Sequence, residues 1–191
     1  VRHDLFGIRT KSAAEAKAFV TQTYDALESP FAIAPGVTIP VGDYRFNAAG
    51  LSFLTHSSRP VSVEAQLLAG EFYDGHRQSG NVLLRFRPNR HVRSETTFEV
   101  SNVTLGTGEF TAKVFRERLA YALNPKLLAN LFLQYNDLSE IASVNVRLGW
   151  NYRPGSDLFL VYNETWNAPG LADLTRKDRQ VMLKATYLFQ R

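Results

Sequence analysis

Apolar and polar residues alternate with a period of two along much of this chain, most clearly over 143–166. In the first run of that stretch Val144, Val146, Leu148, Trp150 and Tyr152 fall on one side, and Ser143, Asn145, Arg147, Gly149 and Asn151 on the other. That is the mark of a β-strand whose two faces meet different surroundings. Arg153-Pro154-Gly155-Ser156 then turns the chain. Proline fixes φ at the first central position and glycine accepts a positive φ at the second, which predicts a type II turn. The following run, 157–166, is apolar on both sides at Leu158, Phe159, Leu160 and Val161, so alternation does not orient it.

Similar runs, each bounded by Gly, Pro, Asn, Asp or Ser, predict strands over 43–55, 61–73, 81–87, 92–103, 109–123, 127–136, 142–152, 157–166 and 179–189. Val61, Val63, Ala65, Leu67 and Ala69 oppose Ser62, Glu64, Gln66, Leu68 and Gly70, and Val181, Leu183 and Ala185 oppose a row with Lys184 and Thr186. Earlier, 14–27 reads as a strand with Phe19 and Thr21 on one face and Val20 and Tyr24 on the other, although AAEAKAF also suits a helix. The first dozen residues carry no pattern. Segment 28–42 is punctuated by Pro30, Pro35, Gly36, Pro40 and Gly42, too often for a central strand.

The links between these strands form a second pattern. Links at 56–60, 88–91, 124–126 and 153–156 are short, and those at 28–42, 74–80, 104–108, 137–141 and 167–178 are longer. Alternation of the two kinds is expected when one rim carries periplasmic turns and the other extracellular loops. Tyr121, Tyr135, Trp150, Tyr152, Tyr162, Trp166, Tyr187 and Phe189 lie at or near strand ends, where an interfacial girdle would place them.

Composition narrows the choice. A chain of 191 residues is read as one domain over 1–191, and no apolar run approaches the roughly 20 residues of a membrane helix. Barrel strands need only about 9–11 residues and expose half their side chains to lipid, so a soluble-looking average is compatible with them. The absence of cysteine excludes disulfides, thiolate metal sites and cysteine nucleophiles. The net charge of +4 comes without a run of adjacent Lys and Arg, so no nucleic-acid partner is expected. The chain begins at Val1 without a signal peptide, which suggests a removed signal or the tail of a longer protein.

The fold expected is therefore all-β: an antiparallel up-and-down transmembrane β-barrel of about ten strands in the bacterial outer membrane. It would be a small barrel or, by preference, the C-terminal portion of a larger one. Outer-membrane lipid and the barrel-assembly machinery are the expected partners, and neither a cofactor nor a metal is expected. Candidate lumen-lining charges are Arg85, Arg87, Glu95, Glu99, Lys113, Arg147 and Lys184, with Glu117 on the same predicted row. They could line a solute path, but facing charges on adjacent strands also pair and stiffen a wall, and that second reading is preferred.

His3, His56, His76 and His91 are scattered, with His56 and His91 predicted on one rim and His76 on the other. Asp74 and His76 form an Asp-x-His that a surface hydrolase could use as orienter and base, yet no matching nucleophile is evident. The reading is an outer-membrane structural or solute-transport component without catalysis. Its alternatives are a soluble all-β module binding carbohydrate or lipid, with apolar faces packed inward, and an outer-membrane hydrolase with a loop-borne site.

Gln134-Tyr135-Asn136, then Asn145-Val146-Arg147-Leu148, Trp150, Tyr152 and the phrase PGSDLFLVYN at 154–163, resemble the C-terminal barrel of the DUF5916 family. IPVGDYRF at 39–46 and the terminal LKATYLF fit the same resemblance less distinctively. It implies a bacterial envelope protein whose relatives are much longer, many with an N-terminal carbohydrate-binding module of family 9 type. It covers most of this chain but only the last part of the barrel, contains no such module, and supplies no catalytic residues.

Overall fold

The computed structural model describes residues 1–189. The strands run, in chain order, β1 (Arg2–Arg9), β2 (Glu15–Leu27), β3 (Phe31–Ala34), β4 (Val37–Ile39), β5 (Gly42–Leu54), β6 (Val61–Phe72), β7 (Gly75–Phe86), β8 (Val92–Leu105), β9 (Gly108–Asn124), β10 (Leu127–Asn136), β11 (Ile141–Arg153), β12 (Ser156–Asn167) and β13 (Thr175–Ala185). A short 3₁₀ turn at Pro169–Leu171 precedes β13. The chain is all-β. Eleven strands form one antiparallel up-and-down sheet in the order β1-β2-β5-β6-β7-β8-β9-β10-β11-β12-β13, and β3 and β4 form a separate hairpin.

Three expectations need correction. The patternless first residues form β1, the edge strand, with every residue exposed. An edge strand that buries neither face is not held to a period of two. Of the 28–42 segment, 28–41 lies outside the large sheet, as its punctuation required, but it folds into the β3–β4 hairpin around Gly36 at φ +76°. Finally, link lengths do not alternate. β7 begins at Gly75 and not at 81, leaving only Tyr73-Asp74 after β6, and only Gly106-Thr107 separates β8 from β9. The strands continue beyond their apolar portions through polar residues such as His76 and Gln78, where side-chain hydropathy gives no signal. β13 likewise starts four residues before its predicted position of 179.

The described chain forms two compact units, 1–83 with 98–113, and 84–97 with 114 onward. In the first unit β5 shows how the sheet's faces differ. Asp43, Arg45, Asn47, Ala49, Leu51 and Phe53 are all exposed, and Leu51 is 58% exposed. Gly42, Tyr44, Phe46, Ala48, Gly50 and Ser52 on the other face are buried or half-buried. Register carries this division to β2 and β6: Leu51 stands between Ala18 and Leu67, and Gly50 between Phe19 and Leu68. Phe46 contacts Phe72 edge-on at 5.7 Å between ring centroids, and Phe19, Phe72, Val103 and Leu105 are buried. Val37 and Ile39 of the hairpin are buried too, with Thr107 Oγ1 donating to the Thr38 carbonyl at 2.9 Å.

The second unit is fixed by an unbroken register across β10, β11 and β12. Leu131, Val146 and Tyr162 stand side by side, as do Leu133, Val144 and Glu164. This orients the ambiguous β12: Leu158, Leu160, Tyr162 and Trp166 share the apolar face, and Phe159 and Val161 share the face of Arg147. The predicted type II turn is present at Pro154-Gly155, with Gly155 at φ +74°.

Candidate functional site: the polar face

The face opposite the apolar one carries the chemistry. On β11 it presents Ser143, Asn145, Arg147 and Asn151, and cross-strand register adds Asn130, Phe132 and Gln134 from β10 and Asn163 from β12. Asn145 Nδ2 donates to Asn163 Oδ1, and Asn163 Nδ2 donates to Gln180 Oε1 at 3.3 Å, a side-chain ladder across three strands. β9 contributes Arg116 and Arg118, which pair with Gln134 and Phe132.

Of the predicted charges, Arg85, Glu95, Arg147 and Lys184 lie on this face of the second unit. Glu95 accepts from Arg93 Nη2 at 2.6 Å and lies 3.7 Å from Arg85 Nε. Arg87 continues the row of Arg85, with its Nε buried and without a hydrogen-bond partner among the described residues. In the first unit Glu99 accepts from Asn81 Nδ2 at 3.2 Å. Lys113 and Glu117 are corrections. Strand parity puts them with Phe115, Leu119 and Tyr121 on the apolar face, and it puts Arg116 and Arg118 on the polar one.

The polar groups on the apolar face are satisfied locally. Glu117 accepts from Ser94 Oγ at 2.7 Å and from Thr96 Oγ1. Glu164 accepts from Arg176 Nε at 2.7 Å, Arg179 Nη2 at 2.8 Å and the Tyr162 hydroxyl. A carboxylate removed from water requires partners of this kind.

In the second unit the apolar face is bracketed by aromatic residues. Trp150, Tyr152 and Tyr121 lie toward one end, with the Trp150 and Tyr152 rings 5.9 Å apart, and Tyr135 and Trp166, both paired with Ala142, lie toward the other. Ala142 to Trp150 spans about 26 Å along a strand. Leu131, Leu133, Val144, Val146, Leu148 and Leu160 lie between. Val144 and Val146 are half-buried, and Leu148 is 41% exposed.

The hydrolase candidates do not assemble. Asp74 Oδ2 accepts from the Gly106 amide at 3.3 Å, and His76 is an exposed β7 residue without a side-chain hydrogen bond among the described residues. His56 is bonded to Ser58 and His91 to the Ala122 carbonyl. Among the described residues no group of three or more His, Asp or Glu could hold a metal ion.

Sequence reasoning placed Asn130 on the polar row of β10 but missed Arg93, Arg116, Arg118 and Asn163. The signal was available on β9, where Phe115, Leu119 and Tyr121 share one parity and the arginines the other.

No family model and no curated protein matches the chain. Among solved structures it is similar to one described as NanC porin in a rhombohedral crystal form, with 9% identity, 98% of each chain covered and a TM-score of 0.43.

Proposed function

We propose that this chain forms wall of an outer-membrane β-barrel, with a structural or solute-passing role and no catalysis, as the DUF5916 resemblance also suggests. The observation that carries the reading is the exposure of the apolar face. On β7, Val82, Leu84 and Phe86 are 43%, 38% and 43% exposed, while Asn81, Leu83 and Arg85 between them are less so. In water an uncovered row of this kind is unfavourable, at roughly 25 cal/mol per Å² of apolar surface, whereas in hydrocarbon it is solvated. The interval of about 26 Å between aromatic rows suits a tilted strand crossing an apolar band about 25 Å tall. A soluble binding module would instead pack Leu51, Phe53, Val82 and Leu84 inward.

A bilayer also requires every strand edge to be paired. Among the described residues β1 and β13 each have one sheet neighbour. Because the sheet has eleven antiparallel strands, β1 and β13 run in the same direction, so direct closure would need a parallel pair.

The test is expression of the chain with an export signal in a Gram-negative host, followed by membrane fractionation and electrophoresis with and without boiling. Recovery in the outer-membrane fraction with heat-modifiable migration supports the reading. Recovery as a folded monomer in aqueous buffer would overturn it.

A further inference from the structure

The polar face of the second unit is basic out of proportion to the chain. Around its middle are Arg85, Arg93, Arg116, Arg118 and Arg147, with Glu95 among them. Two of these arginines are held without an acidic partner among the described residues. The Arg118 guanidinium lies 5.3 Å from the Phe132 ring centroid, and that of Arg147 lies 4.6 Å from the centroid of Phe159. A guanidinium held over an aromatic ring is attracted through its charge and keeps its N–H groups for other partners, and those groups can take a carboxylate or phosphate bidentately.

Arg118 lines a hollow of about 440 Å³ together with Arg93, Glu95, Asn130, Phe132 and Asn145, and Arg147 stands at its edge as the cross-strand neighbour of Asn130. Its local cause is side-chain size. Asn130 pairs with Ala120 on one side and with Arg147 on the other, and Ala120 cannot fill the space beside it. Arg118 and Arg147 stand two strands and two residues apart, about 12 Å between α-carbons. A small anion over Asn130 is therefore within reach of both long side chains, and the amide of Asn130 is placed for a hydroxyl or carbonyl oxygen of the same molecule.

We infer that this hollow is a selectivity site for small solutes bearing a carboxylate or phosphate, with Arg118 in its lining and Arg147 at its edge as the anion-binding pair. The inference rests on the proposed barrel, in which the polar face lines a water-filled path.

The experiment uses the full chain reconstituted in planar lipid bilayers under a potassium chloride gradient. The expected reversal potential corresponds to chloride permeating several-fold better than potassium. Gluconate and inorganic phosphate, added separately, should each reduce chloride current at millimolar concentration, and glucose should not. The stronger blocker identifies which headgroup the site prefers. Arg118→Gln with Arg147→Gln should bring the permeability ratio close to one and abolish block, and Arg118→Lys should retain the anion preference while weakening block. Heat-modifiable migration of each variant shows that it folds. Conductance that is cation-selective, or unchanged in the double variant, overturns the anion site and leaves the barrel standing. A folded, inserted chain that conducts nothing overturns the solute path and the site with it.

Discussion

The ring of Phe19 occupies the space above Gly50 that a side chain would need: a β-carbon at Gly50 would lie 2.3 Å from Phe19 Cζ and 2.8 Å from the Leu67 carbonyl oxygen. The two residues are direct cross-strand partners on β5 and β2, so the missing side chain on one strand makes room for the large one on the next. Gly50→Ala should cost about 1–3 kcal/mol, because neither a buried ring nor a backbone carbonyl can withdraw easily. Gly80 is the control. A β-carbon there meets the flexible end of Leu67 at 3.3 Å and Val100 Cγ1 at an ordinary 3.7 Å, and Gly80→Ala should be nearly neutral. Urea titration of the refolded variants measures both, and equal midpoints would show that Phe19 has another place to go.

Val146 and Asn145 test the two faces one residue apart. Val146→Arg places a cation among Leu131, Leu148 and Tyr162 near the centre of the proposed apolar band, at about 2–4 kcal/mol. Asn145→Arg adds a cation to a face that already holds Arg118 and Arg147 and should insert normally. Folding yield into phosphatidylcholine vesicles, read from the heat-modifiable band, separates them. Equal yields would mean that the apolar face does not meet lipid.

Glu164 is the acceptor for Arg176, Arg179 and Tyr162, so the cluster is not symmetric. Glu164→Gln leaves two cations beside the apolar face with no carboxylate between them, whereas Arg176→Gln leaves Arg179 to neutralise the acid. The first variant should therefore lower the urea midpoint clearly and the second only slightly. The double variant Glu164→Leu with Arg179→Leu should recover part of the loss, since removing both members of an ion pair is less damaging than orphaning one. A Glu164→Gln midpoint equal to the parent's would make the cluster a bystander.

The sequence announced the strands wherever one face was apolar and the other was not, as on β6, β10 and β11. It failed where that contrast was missing. β1 is exposed on both faces, and the start of β7 carries His76 and Gln78 on the parity of Val82 and Leu84, so polar residues interrupt the row that marks the strand. Loop-length counting then failed because it inherited those boundaries. The charged face was only partly legible for a related reason. A charge in a strand reads as belonging to the polar side, and Lys113 and Glu117 show that it need not. Glu117 sits among Phe115, Leu119 and Leu133 because Ser94 and Thr96 on the next strand satisfy it, a cross-strand relationship that no single strand displays.

Tyr73 gives a prediction independent of the membrane. It sits in the two-residue link between β6 and β7, donates its hydroxyl to Asp25 Oδ2 at 2.7 Å and touches Phe46, Phe72 and Tyr44. Burial first, and the hydrogen bond to Asp25 second, push its phenol up to about 12. Tyr73 should ionise late when absorbance near 295 nm is followed with rising pH, and Tyr73→Phe should diminish the late phase by one tyrosine. The sign for stability follows from the raised value. The folded protein holds the proton that the unfolded chain releases near pH 10, so the contribution is complete below pH 10 and is lost progressively as pH climbs to about 12. Between those limits the parent should lose stability more steeply than Tyr73→Phe, while below pH 10 the two curves should run parallel. Asp25→Asn should shift the late titration downward without returning it to the ordinary value, because the burial remains. If parent and Tyr73→Phe lose stability with the same slope above pH 10, the phenol is not held protonated by the fold.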